Sequence, residues 1–214
     1  MPYIISDTRR GGRVLAIALA LAFTAFIATP AHAATIANPY ACTPQPTLSS
    51  AFAAWSDYGS YTPVQNAGVE DGSTGWTLSG AAAVTRGNEP WKIGGASHAN
   101  SLSLPAGSSA VTAPICIDET YPYFRLFAKN AGTGKSSLKI DVLFYDTKGN
   151  LINTKPYDYT TTSTAWQPTG TVKISVFTPK TTVAAAPVAF RFTPQGPTAN
   201  YQIDDVYVDP WARG

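Results

Sequence analysis

The sequence predicts an all-β protein: an antiparallel two-sheet jelly-roll sandwich with an irregular N-terminal arm. Three observations carry this reading. Between residues 121 and 145, two stretches hold period-two alternation for about ten residues each. Phe124, Leu126 and Ala128 oppose Tyr123, Arg125, Phe127 and Lys129; Leu138, Ile140, Val142 and Phe144 oppose Lys139, Asp141, Leu143 and Tyr145. Second, shorter strand signals recur along the chain with turn residues between them. Third, no amphipathic helix of three turns is visible. Each wholly apolar strand face needs a second layer to cover it, and many short strands with dense Gly/Pro/Asn punctuation give a sandwich or barrel.

Taken in order, the chain opens with an export signal at 1–33. Arg9, Arg10 and Arg13 are its charged region, 14–27 is an apolar run of 14 residues, and Ala31-His32-Ala33 supplies a cleavage site. The run is short for a membrane span, which needs about 20 residues. The expectation is therefore a secreted protein with no membrane span after cleavage. The Arg9-Arg10 pair raises the twin-arginine route, although Gly-Gly-Arg rather than apolar residues follows it. The formal charge of +2 comes from this segment, which holds three arginines and Asp7; the remainder carries 12 Lys+Arg and 12 Asp+Glu. With no basic stripe left, nucleic acid and anionic membrane are poor partners. The expected state is a monomeric single domain.

Residues 34–60 are rich in Ala, Pro, Ser and Thr and form the arm. Prolines 39, 44 and 46 within it, and Pro63 just after it, forbid long regular elements over 34–64. Residues 49–55 suggest one or two helical turns. The arm is either stapled to the sandwich or a spacer without fixed structure. Cys42 and Cys116 are the only two cysteines. In an exported chain they predict one disulfide, with two separate buried thiols as the alternative. A loop of this length would stabilise the fold by about 4 kcal/mol in the chain-entropy model.

The sandwich is expected at 61–210. Strand signals lie at 64–69, 75–78, 82–86, 101–104 and 110–117, then in the two alternating stretches, then at 151–153, 157–161, 172–177, 187–193 and 201–208. Glu70-Asp71-Gly72, Gly94-Gly95, Lys148-Gly149-Asn150 and Gln195-Gly196-Pro197 are turn signals. The two alternating strands are joined by a Gly-rich loop and read as adjacent, so Tyr123, Arg125 and Phe127 share one sheet face with Lys139, Asp141 and Tyr145; if Phe190 and Phe192 point inward, Arg191 joins them. Arginines, an aspartate and tyrosines can hydrogen-bond sugar hydroxyls and stack on a sugar ring. The plainer reading is cross-strand ion pairing, for example Arg125 with Asp141.

Several motifs resemble one family. Asn66-Ala67-Gly68-Val69-Glu70-Asp71-Gly72 followed by Gly75-Trp76 is similar to the NGGFE, turn, GW opening of jelly-roll carbohydrate-binding modules of the galactose-binding-domain-like group. Val69 stands where that group has Phe. Trp166 resembles the Trp that begins a middle strand, and Tyr201-Gln202-Ile203-Asp204-Asp205-Val206 resembles the closing strand. Residues 61–210 also look like a group of secreted actinobacterial proteins. The resemblance implies a glycan ligand, core positions for Trp76 and Trp166, and a structural Ca²⁺ held by Glu70 and by Asp204 more than Asp205. Ca²⁺ takes six to eight hard oxygens in irregular geometry. The plainer reading is that Glu70 and Asp71 shape a turn while Asp204 and Asp205 face solvent.

Signs of catalysis are missing. Glycoside hydrolysis needs two facing carboxylates, and Asp141 and Asp146 lack a partner of that kind. His98, the one histidine beyond the leader, sits in a polar loop, and there is no G-x-S-x-G elbow. Trp91, in Asn88-Glu89-Pro90-Trp91-Lys92, is the aromatic best placed for exposure, with capping of the core as an equal alternative; Trp55 and Trp211 read as docking contacts. The function expected is a secreted, non-catalytic glycan binder. The alternative is a structural or adhesive surface protein with protein partners.

Overall fold

The alternating stretches do fold as two long strands, but they enter different sheets. The structure is a computed structural model describing residues 38, 40, 42, 48–118, 123–174 and 185–209. The expected leader, Trp211 and residues 175–177 of the expected strand at 172–177 lie outside those residues. The strands are β1 (Thr62–Pro63), β2 (Trp76–Ser79), β3 (Ala83–Arg86), β4 (Asn100–Pro105), β5 (Ser109–Thr112), β6 (Ile115–Asp118), β7 (Tyr123–Asn130), β8 (Ser137–Tyr145), β9 (Leu151–Tyr159), β10 (Gln167–Pro168), β11 (Val172–Lys173), β12 (Ala185–Gln195) and β13 (Asn200–Asp209). One 3-10 turn, Ala53–Trp55, lies in the arm.

Every strand pairing is antiparallel. The first sheet runs β10-β7-β13-β4-β3, with β1 also on β13 and β11 also on β7. The second runs β2-β5-β12-β8-β9, with β6 also on β12. The inward faces meet as the alternation requires. Phe124, Leu126 and Ala128 from the first sheet pack with Leu138, Ile140, Val142, Phe144, Phe190 and Phe192 from the second. Phe124 and Phe190 lie 5.0 Å apart between ring centroids. A buried aromatic of this kind contributes about 1.5–3 kcal/mol by area alone.

Four expected strands change form. Residues 64–69 make a turn: Asn66 and Val69 adopt φ of 51° and 50°, and the Asn66 amide donates to the carbonyls of Gly72 and Thr74 at 3.0 and 2.9 Å. Asn tolerates the left-handed region and caps turns with its side chain, which outweighs the local apolar pattern. The stretch 110–117 breaks at Ala113-Pro114 into β5 and β6. The signals at 151–153 and 157–161 fuse into β9, where Pro156 is tolerated because β9 is an edge strand. The Trp76 indole donates to the Asn66 carbonyl at 3.0 Å, and the ring is buried, as expected.

The arm is fixed to the sandwich. Cys42 and Cys116 are bonded, and Ser49 pairs with Tyr61 as an isolated bridge. Phe52 is wholly buried against the outer face of the first sheet, stacked on Phe127 at 5.5 Å and 21° and edge-on to Tyr61 and Tyr207.

Candidate functional site

The outer face of the second sheet carries the candidate site. Because Phe190 and Phe192 point inward, Arg191 points outward, and antiparallel register sets it opposite Asp141 on β8. Arg191 donates from Nε and Nη2 to Asp141 Oδ2 at 3.0 and 2.7 Å. Lys139 Nζ lies 3.1 Å from Asp141 Oδ1. The carboxylate is 1% exposed, while the Arg191 and Lys139 side chains are 40% and 39% exposed. These three line a groove of about 450 Å³ together with Ser108, Ser109, Thr193 and Gln195. On the same face a second groove of about 380 Å³ is lined by Tyr40, Trp76, Val111, Tyr145 and Ala189. The two follow β12 from Ala189 to Gln195, about 20 Å of strand.

Tyr40 is a site residue the sequence did not reveal. It sits two residues from Cys42, and its ring meets Tyr145 at 5.1 Å and 52°. Asn38 holds the same segment by donating to the Thr147 carbonyl at 2.9 Å. Burial, and then the neighbouring Tyr40, raise the Tyr145 phenol above its ordinary pKa. The signal that could have found Tyr40 was the disulfide, which brings the arm to β6.

The single shared face does not exist. Arg125 and Tyr123 are on β7 in the first sheet, and Asp141, Tyr145 and Arg191 belong to the second, so the sandwich core separates the two groups. The segment between β7 and β8 crosses between sheets instead of closing a hairpin. The Arg125–Asp141 pair is therefore corrected: Arg125 Nη1 donates to Asp57 Oδ2 at 2.9 Å and its Nε to the Thr169 carbonyl at 2.9 Å. Its guanidinium lies 4.2 Å from the centroid of the Phe52 ring, and the residue is 6% exposed. The arm covers this face, so Arg125 cannot meet a ligand there.

The acidic residues assigned to calcium pin one loop. Glu70 Oε1 accepts the amides of Ala99 and Asn100 at 2.9 and 2.8 Å, and Oε2 accepts the Asn100 side chain at 3.1 Å. Asp204 and Asp205 are buried rather than facing solvent. Asp204 accepts the Glu89 amide at 2.9 Å and the Asp205 amide at 2.9 Å; Asp205 Oδ2 accepts the Gly94 amide at 3.0 Å. Glu89, wholly buried and unforeseen from the sequence, accepts the amides of Trp91 and Ile93 at 2.6 and 2.5 Å. A Cβ at Gly94 would run into His98 and Asp205, which is why glycine stands there. β13 shifts register between Asp204 and Tyr207, with Asp205 at φ 46°. Such a bulge turns two successive acids toward the loop.

Burial, and then the Asp205 charge, push the Asp204 carboxyl up to about 8. Burial likewise raises Asp205. Asp205 Oδ1 is buried without a hydrogen-bond partner, 3.9 Å from His98 Nδ1. That orphaned hard oxygen fits a cation such as Ca²⁺. Glu70 fits less well, since both its oxygens serve the loop. Among the described residues, no group of three or more His, Cys, Asp or Glu is arranged to hold a metal ion.

The tryptophans divide. Trp91 is 43% exposed yet also lies 5.4 Å from the buried Phe127 ring, and Trp55 docks against Trp91 and Phe127 at 5.0 and 5.4 Å. Trp166 is corrected: it lies outside the inter-sheet core, half-buried against the cluster of Phe52, Tyr61, Phe127 and Tyr207, with Lys129 Nζ 4.8 Å from its ring centroid.

No family model matches the chain, and no curated protein matches it. Solved structures with a similar course of chain include TmCBM61 in complex with β-1,4-galactotriose, at 13% identity and a TM-score of 0.42, covering 69% of this chain and 97% of that one. A xylan-binding domain from CBM 22 matches at 16% identity and 0.45, covering 73% and 99%. An arabinose-bound α-L-arabinofuranosidase matches at 16% and 0.47, covering 69% of this chain but only 26% of the enzyme.

Proposed function

We propose that this protein is a secreted, non-catalytic glycan binder whose site is the outer face of the second sheet. The observation supporting this most is the buried Asp141 holding Arg191 and Lys139 at the floor of an open groove. Hydroxyl, amide and guanidinium groups line this groove, and Tyr40 and Tyr145 wall the second groove further along the same face. Fixed polar groups beside an aromatic wall suit a sugar chain, which presents hydroxyls at its edges and C–H bonds on its faces. The Cys42–Cys116 bond supports export, because such bonds persist in oxidising compartments. In this reading a structural Ca²⁺ would be held by Asp204 and Asp205; it would neutralise buried carboxylates and so rigidify the loop they pin.

Polysaccharide pull-down or a glycan array tests the site, using wild type, Asp141→Ala, Arg191→Ala and Arg125→Ala. Binding should be lost in the first two variants and kept in the folded fraction of the third. Unchanged binding in both Asp141→Ala and Arg191→Ala removes the site. The exposed Trp91 and Tyr58, 43% and 75% exposed, favour the second reading, an adhesive protein that uses the arm side. That reading expects no sugar binding and a protein contact abolished by Trp91→Ala.

A further inference from the structure

The groove lined by Asp141, Arg191 and Lys139 is unbalanced in charge. Asp141 is the single carboxylate among the described residues lining it, and it lies beneath the surface at 1% exposure. Two cations rest on it, each about two-fifths exposed. What faces solvent is therefore the outer edge of a guanidinium and an ammonium, with one negative charge below for two positive ones. Arg191 spends Nε and Nη2 on Asp141, which leaves its Nη1 edge directed elsewhere and the plane of the fork locked. Asp158 of β9 stands directly opposite Lys139 on the same outer face; it makes no ion pair among the described residues and does not line the groove. Ser109, Thr193 and Gln195 add neutral hydrogen-bonding groups around the cations.

We infer that the groove takes an acidic glycan, with a uronate carboxylate seated between Arg191 and Lys139 and neighbouring sugar hydroxyls on Ser109, Thr193 and Gln195. This rests on the glycan reading and adds the ligand's charge to it. A locked guanidinium edge matches a planar carboxylate, and Lys139 supplies a compact second charge. Asp141 acts as a positioning residue: it holds both cations at one spacing and would not touch the ligand. The chain as a whole is close to neutral beyond the leader, so binding would be local to the groove and not a general polycation effect.

The test is affinity electrophoresis of the full chain against polygalacturonate, dextran sulfate, and neutral galactan and xylan, at low and high salt. Polygalacturonate should retard the wild type most, and less at high salt as the Debye length shrinks from about 8 Å near 0.15 M to about 3 Å at 1 M. Lys139→Ala, a substitution at a half-exposed side chain, should weaken polygalacturonate binding by about tenfold, the effect of one charge-assisted contact. Arg191→Lys should weaken it similarly, because the fork is lost while the charge stays. Equal retardation by dextran sulfate overturns the uronate in favour of plain ion exchange. Equal binding of neutral glycans, unaffected by Lys139→Ala, overturns the acidic ligand and leaves the glycan groove standing. Binding to none of the four overturns both.

Discussion

Arg191 reaches from β12 to place Nε and Nη2 on one oxygen of Asp141, at 3.0 and 2.7 Å, while Lys139 approaches the other oxygen at 3.1 Å. The two-residue spacing of 139 and 141 puts Lys139 and Asp141 on one strand face, but nothing local sets Arg191 directly beside them. The triad arises because β12 and β8 are central neighbours in the second sheet and their register sets Arg191 against Asp141.

Removing the carboxylate should loosen this face. Asp141→Asn keeps the shape and deletes the charge that holds two cations. Charge-assisted hydrogen bonds contribute about 1.5–3 kcal/mol each way of counting, and the half-exposed cations recover part of that in water. We expect a loss of about 1–2 kcal/mol in urea unfolding. No change in the midpoint would mean that the triad is held by packing alone.

The pair on the opposite sheet is more costly to break. Arg125 and Asp57 have side-chain exposures of 7% and 8%, and truncating one partner strands a buried charge. Asp57→Ala should destabilise by about 3–5 kcal/mol. Arg125→Met combined with Asp57→Ala should recover part of this. A double-mutant cycle in guanidinium chloride checks the coupling; additive losses would contradict the buried pair.

The disulfide closes a sequence separation of 74 residues. Its loss through paired Cys42→Ser and Cys116→Ser should lower stability by about 4 kcal/mol in the chain-entropy model. The same variant frees the segment carrying Tyr40, so retention on a glycan should weaken even at temperatures where the sandwich stays folded. A folded variant that binds as the wild type does would show that Tyr40 is not part of the groove.

The buried acids fix the sign of a pH effect. Asp204 has its ordinary pKa of 3.8 raised to about 8 by burial first and the Asp205 charge second. Between those values the folded chain binds more protons than the unfolded one. The stability this group contributes is thus fully present below about pH 4 and is lost as pH rises towards about 8. In chelator, unfolding free energy should fall across that window. Added Ca²⁺ should reverse the fall near pH 8, since it binds the ionised folded form. A melt at pH 8 that ignores calcium would end the calcium proposal, and a flat profile in chelator would contradict the buried pair.

The family resemblance directed the reading to Glu70, Asp204 and Asp205, and the structure adds Glu89 and His98 around the last two. Glu89 escaped notice because it lies in a turn-rich loop of Pro, Trp and Gly, where a carboxylate ordinarily faces water. Its burial depends on accepting the loop's own amides.

What the sequence determined by itself is which side chains share a strand face. The inward set of β7 and β8 and the outward set of β8 follow from alternation, which is a property of neighbouring residues, and the same alternation ties the outward turn of Arg191 to the inward turn of Phe190 and Phe192. What only the tertiary structure decided is which strands lie side by side and what covers them. Arg125 was lost to ligands because Asp57, 68 residues away in the chain, docks with Phe52 upon it. Tyr40 was gained because a disulfide carries it to Tyr145. Partner choice over such distances is settled by which apolar surfaces can be buried together, and no local pattern encodes that competition.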